Sequence, residues 1–176
     1  MHDLVESDTD IEIIWRAFEL RPEPVPMIDP NSDYLRRVWS DSVAALAERL
    51  GVTMRFPPVK PRTRLAHEAA HWARAQARFE DYHDEIFRAF FERGEDIGDV
   101  DVLIAIATEL KLDSDSLRHS LASHEFAASV LTDEREAARL GVSVVPAFVA
   151  NRKAALSGVQ PVENLRALIE SVRGGG

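Results

Sequence analysis

The run His67-Glu68-Ala69-Ala70-His71 matches the pattern H-E-x-x-H. On a helix, histidines four residues apart share one face and can hold a single zinc ion, with the glutamate as general base. A third ligand would have to come from downstream, where Glu85, Glu92 and Glu95 are available. The competing reading is a plain surface helix turn in which Glu68 pairs with a base. The pattern is short, and the helix runs on into WARAQARF rather than turning away from a metal, so the plain reading is preferred and no metal is expected. A second constellation is Val144-Val145-Pro146 ahead of a short apolar run. Proline at a strand mouth is often only an edge feature. A cis Val145–Pro146 bond would instead turn the preceding backbone outward, free to pair with an extended peptide. The third is Ser157-Gly158-Val159-Gln160-Pro161, either a glycine turn before a helix or a loop that aims Gln160 and helix-entry N–H groups at a cleft. His83 and the Phe87/Phe90/Phe91 cluster read as satisfied or core residues.

Composition narrows the chemistry. The 176 residues contain no cysteine, which removes a disulfide framework, a thiolate zinc site and a cysteine nucleophile. Lysine and arginine number 21 against 30 acidic residues, a net charge of −9. Nucleic-acid phosphates and anionic membranes are therefore not expected partners. The opening MHDLVESDTD is acidic, with no basic patch followed by an apolar run, and no apolar stretch approaches the ~20 residues of a membrane span. The default location is cytoplasmic.

The elements that must position these residues follow from patterning. Ile11–Phe18 is β-branched and aromatic and predicts a strand. The prolines of Arg21–Pro26 and Pro30 enforce a loop. Ser32 or Asp33 caps a helix to Leu50, stopped by Gly51, and Val52–Phe56 reads as a short extended piece. Further helices are predicted over Thr63–Phe79, Asp81–Glu92, Asp99–Leu110, Ser114–Ser120 and Ser123–Leu140. A hairpin follows, Ala147–Ala150 and Ala154–Ser157 about a turn at Asn151-Arg152-Lys153. A final helix spans Val162–Val172, with Pro161 at its start and Gly174–Gly176 as a disordered end. Strand, helical block, hairpin and helix together imply α/β or α+β.

Read in order, IEIIWRAFELRPEP, RTRLAHEAAHWA, IFRAFFERGEDIGDVDVL, LGVSVVPAFV and LSGVQP resemble the DsbA family. The similarity is to its FrnE-like branch, related to 2-hydroxychromene-2-carboxylate isomerases and kappa-class glutathione transferases. It covers roughly Ile11 to Val172. The resemblance implies an α/β thioredoxin-like fold with an inserted helical subdomain: residues 11–62 and 141–173 as the thioredoxin-like part, residues 63–140 as the insertion. It places Ala66-His67 where the family opens an insertion helix near the cleft. It also implies a first strand and a first helix headed by Cys-x-x-Cys, or by a serine in the isomerase and transferase relatives, neither of which the ten residues before Ile11 can supply. Ile11–Phe18 would then be the second strand, separated from the hairpin by an absent one. That vacancy could be repaired by direct pairing, by Met1–Asp10, or by a second chain in a homodimer, the repair favoured.

The reading is a protein that is a disulfide oxidoreductase by family but inactive in thiol–disulfide exchange, with no catalytic residue of its own. The substrate-binding residues expected are Val145, Pro146, Gln160 and His67. An extended peptide or a small thiol such as glutathione would bind at the cis-proline loop, and no cofactor is expected. The alternative is a non-catalytic peptide- or glutathione-binding module. A transferase- or isomerase-like enzyme and an H-E-x-x-H zinc hydrolase rank behind it.

Overall fold

A computed structural model describes residues 4–5 and 8–173. In chain order the elements are α1 (Asp33–Val38), a π-helical turn (Trp39–Ala44), α2 (Ala45–Leu50), α3 (Arg64–Ala75), α4 (Phe79–Arg88), a second π turn (Ala89–Arg93), α5 (Val100–Glu109), α6 (Ser114–Ala122), α7 (Ala127–Arg139), β1 (Ala147–Ala150), β2 (Ala154–Ser157) and α8 (Val162–Arg173). The chain divides into two compact units, residues 21–131 and residues 1–20 with 132–176. No described helix is long and apolar enough to cross a membrane.

The helical unit is built on local signals. Asp99 caps α5 by accepting from the N–H of Asp101, and Asp113 caps α6 by accepting from Ser116; each side chain satisfies a helix-start donor that would otherwise be orphaned. The core joins α3, α4, α5 and α6 through Ala66, Ala69, Trp72, Ala73, Tyr82, Ile86, Leu103, Ile106, Leu117 and neighbours. Alanines on α3 let the facing helices come close, and the two large polar-tipped rings are satisfied inside. Trp72 Nε1 donates to Ser116 Oγ at 3.2 Å, and Tyr82 donates its hydroxyl to the Leu103 carbonyl at 2.7 Å. Burial pushes the Tyr82 hydroxyl above the ordinary tyrosine range.

Several boundaries differ from the sequence expectation. The helix predicted over Thr63–Phe79 ends at Ala75; Ala77 is left-handed (φ 56°), and Phe79 begins the next helix instead. The helix expected from Ser123 starts at Ala127, after a left-handed His124 (φ 52°). Neither break carries a glycine or proline to announce it. The Asp33–Leu50 helix is interrupted by a π turn, and Asp81–Glu92 closes in another before left-handed Gly94.

In the second unit the hairpin pairs antiparallel in the register Ala147↔Ser157, Phe148↔Leu156, Val149↔Ala155, Ala150↔Ala154. Asn151 and Arg152 are both left-handed, and the Lys153 N–H closes on the Ala150 carbonyl at 2.9 Å, the primed geometry that matches strand twist. Arg152 reaches back to Glu136 of α7 at 2.6 Å, and α8 packs on both strands. The strand predicted at Ile11–Phe18 is corrected: among the described residues the only sheet is the two-stranded hairpin, and Ile11–Phe18 enters no ladder. Its end is pinned by side-chain chemistry instead. Asp133, 3% exposed, accepts the Ala17 N–H at 3.0 Å and an Arg16 guanidinium N–H at 2.9 Å. A buried carboxylate thus supplies the acceptor that a neighbouring strand would have offered. Gly174–Gly176, expected as a disordered end, lie outside the described residues, as do Met1–Asp3 and Glu6–Ser7.

Candidate functional site: the mouth of the hairpin

The loop Val142–Pro146 brings the chain onto β1, and Gly158–Pro161 carries it from β2 into α8. The Val145–Pro146 bond is cis, as is Glu23–Pro24. Gly158 sits at φ 81°, a region open to glycine at no steric cost, and its N–H donates to the Pro146 carbonyl at 2.8 Å, clasping the two loops together. Between them lies a shallow cleft of about 220 Å³, lined by Leu4, Pro146, Phe148, Val159, Gln160, Val162 and Leu165. The wall is mostly apolar, with one amide at its edge.

That amide is held in place. Gln160 Nε2 donates to the Ser157 carbonyl at 2.7 Å, and Gln160 Oε1 accepts from Asn164 Nδ2 at 2.9 Å. One N–H and one acceptor direction of the amide remain for a ligand. On the opposite lip, Val145 is 41% exposed and Val144 51%, and the Val145 N–H and C=O bond to no described residue. An apolar floor with an oriented amide on one side and open main-chain groups on the other suits a short extended segment that offers a side chain to the floor and backbone to the lip.

Of the residues expected at the site, Val145, Pro146 and Gln160 therefore lie together. His67 belongs to the helical unit, on α3, near enough to His83 that its charge helps depress that imidazole. Its neighbour in the motif, His71, stacks on Phe126 with ring centroids 6.4 Å apart. Glu68 is 2% exposed, with His124 Nδ1 3.4 Å from its carboxylate. The expectation of a plain surface turn is corrected here, since Glu68 is buried; the base beside its carboxylate is a histidine 56 positions away in sequence. Among the described residues no group of three or more histidines and carboxylates is placed to hold a metal.

Sequence reading missed the floor of the cleft. Phe148 could have been found from alternation along β1, and Leu165 and Asn164 from helical spacing to Val162 and Gln160. Leu4, 3% exposed, carried no signal at all.

A model of the DSBA-like thioredoxin domain family matches residues 1–170. The uncharacterized protein YwbO of Bacillus subtilis (strain 168) is 38% identical over 120 residues, 66% of this chain; the match spans 60% of the length of that relative. The crystal structure of a probable DsbA oxidoreductase from Streptomyces coelicolor superposes with a TM-score of 0.81 at 27% identity, over 97% of this chain and 79% of that one.

Proposed function

From the premise that the chain belongs to the DSBA-like thioredoxin domain family, we propose that these 176 residues form a binding module that performs no thiol–disulfide exchange. The observation that carries the proposal is the absence of any cysteine: exchange proceeds by thiolate attack on a disulfide sulfur, and no residue here supplies one. Five segments that resemble FrnE-like proteins support assigning it to that branch. The ligand is an extended peptide or a small thiol such as glutathione, taken at the hairpin mouth. The Val145 main chain pairs with the ligand backbone, Gln160 donates an amide N–H, and Pro146 and Phe148 receive an apolar group.

With dithiothreitol as reductant, insulin disulfides should be reduced in the presence of the purified chain no faster than by the reagent alone. Isothermal titration with glutathione, and with an unstructured peptide, should show weak binding to at least one of them, with amide shifts at Val145 and Gln160 in an NMR titration. Catalysed insulin reduction would refute the first half of the proposal. Saturable binding whose shifts avoid the hairpin mouth, or no binding to either at millimolar concentration, would refute the second.

A further inference from the structure

The stretch Asp33–Leu50 is continuous helix, α1, π turn and α2, yet of its residues only Ala47 is buried. Among the described residues no other helix or strand packs broadly against it. It rests on the segment that follows it. Trp39 meets Phe56 edge to face at 5.6 Å, Arg36 lies over the Phe56 ring, and the Val52 N–H donates to the Ala47 carbonyl. The other side carries a row spaced by four: Tyr34, Val38, Ser42, Leu46 and Leu50. Tyr34, Val38 and Leu50 are 58%, 39% and 59% exposed, and Ser42 is exposed with them.

In a pure α-helix such a row would wind away from one side, by about 40° at each four-residue step and roughly 160° over its length. A π turn adds about one residue to a turn and takes back roughly 100° of that drift. Trp39–Ala44 is such a turn, and it lies in the middle of the row. The result is an apolar stripe kept close to one face along a helix of about 27 Å.

The stripe is also symmetric. Reversed about Ser42, Val38 falls on Leu46 and Tyr34 on Leu50. The charges obey the same operation. Arg37 falls beside Glu48, and Asp33 comes within two residues of Arg49. Among the described residues these four charges form no ion pair within the chain. Leu46 is half-buried, and the rest of the row is exposed. A surface that is mostly apolar, largely uncovered and complementary to its own reverse is what an isologous two-fold contact requires.

We propose that Asp33–Leu50 is a self-association helix. A second copy of this chain docks its own Asp33–Leu50 antiparallel, with the two-fold axis at Ser42. The dimer pairs Val38 with Leu46 and Tyr34 with Leu50 across the seam and sets Arg37 against Glu48 of the other copy. One helix pair is small for a specific interface, which places the dimer in the micromolar range.

The chain's lack of cysteine makes a direct test possible. Ser42→Cys puts a single thiol on the axis, facing its own copy, within the Cα separation that a disulfide needs. Under mild oxidation it should convert to a covalent dimer, while Ala75→Cys, exposed on α3, should stay monomeric. In sedimentation equilibrium the unmodified chain should rise with concentration from 19.7 kDa toward twice that mass. Arg37→Glu and Glu48→Arg should each raise the dissociation constant roughly tenfold or more, and the double variant should recover the original value. Circular dichroism of each variant separates lost contact from lost fold. A strict monomer through about 200 μM, roughly a hundredfold above a micromolar dissociation constant, would overturn the proposal. So would a dimer indifferent to both single reversals, or a Ser42→Cys chain that cross-links no faster than Ala75→Cys.

Discussion

Asp133→Ala removes both acceptors that hold the end of Ile11–Phe18. The Ala17 N–H is left unpaired at a residue only 7% exposed, where water cannot replace the lost 3.0 Å bond. A hydrogen bond to a charged acceptor contributes about 1.5–3 kcal/mol, and an orphaned buried donor costs about 1–3 kcal/mol; the two figures describe the same loss from two directions and are not added. The Arg16 half of the pair is discounted, because that side chain is 51% exposed and water resolvates it; its share is about 0–1 kcal/mol. The sum is about 3 kcal/mol. With a urea m-value of about 2 kcal/mol/M, the midpoint should fall by roughly 1.5 M. Asp133→Asn keeps a carbonyl oxygen that can still accept from Ala17 but turns donors toward Arg16, so it should recover more than half of the loss. Equilibrium urea denaturation followed by far-UV circular dichroism reads both variants. A midpoint shift under about 0.3 M for the alanine variant, or equal shifts for the two, would show that the carboxylate is not what anchors the segment.

His83 sits between Phe79 and Phe87, its ring 4.9 Å and 4.8 Å from theirs. Burial lowers its pKa, the charges of His67 and Arg74 lower it further, and Asp84 opposes them. The unfolded chain therefore takes up this proton first, so stability should be full above about pH 6.5 and should decline as the pH falls from there toward the depressed folded value. Melting temperatures at pH 7.5 and 5.0 should differ less for His83→Phe than for the parent; an equal difference would count against the assignment. A Cβ at Gly98 would meet the Arg62 carbonyl at 2.9 Å and Asp96 Oδ1 at 3.0 Å, so Gly98→Ala should cost about 1–3 kcal/mol in urea denaturation through forced backbone movement. Tyr82→Phe should cost only about 1 kcal/mol by the same assay, because the loss is confined to one neutral hydrogen bond to the Leu103 carbonyl.

What could be read in advance was whatever a single residue announces locally. The hairpin ends fall where expected because Asn151 and Gly158 carry the backbone conformations that end strands, and α5 begins at Val100 because Asp99 is a cap. Val145, Pro146 and Gln160 were legible as neighbours because the hairpin that joins them is short. Ala77 and His124 were not legible: alanine rarely takes left-handed backbone, and histidine, though enriched there, does so too seldom to announce a helix break. Nor was Ile11–Phe18: its composition suits a strand, but a strand exists only with a ladder partner, and the acceptor that meets Ala17 is a carboxylate 116 positions later. The His67 assignment came from the resemblance, which puts Ala66-His67 beside the cleft; the structure sets His67 near His83 of α4, a helix that no spacing rule ties to α3.

The same separation has a consequence for how the protein is made. The helical core is drawn from consecutive stretches between Ala66 and Leu121, so a growing chain can assemble it as soon as that stretch has left the ribosome, and contacts of such short range close quickly. The unit around the hairpin is discontinuous: its opening residues, up to Leu20, are synthesised first but depend on residues from Thr132 onward. At about 5–20 residues per second, the 116 positions between Ala17 and Asp133 correspond to roughly 6–23 s of translation. During that interval the nascent amino-terminal segment lacks Asp133, the carboxylate that meets Ala17. Vectorial synthesis thus completes the helical body before the discontinuous unit can close, since Asp133 reaches Ala17 only after the helical stretch between them has been made.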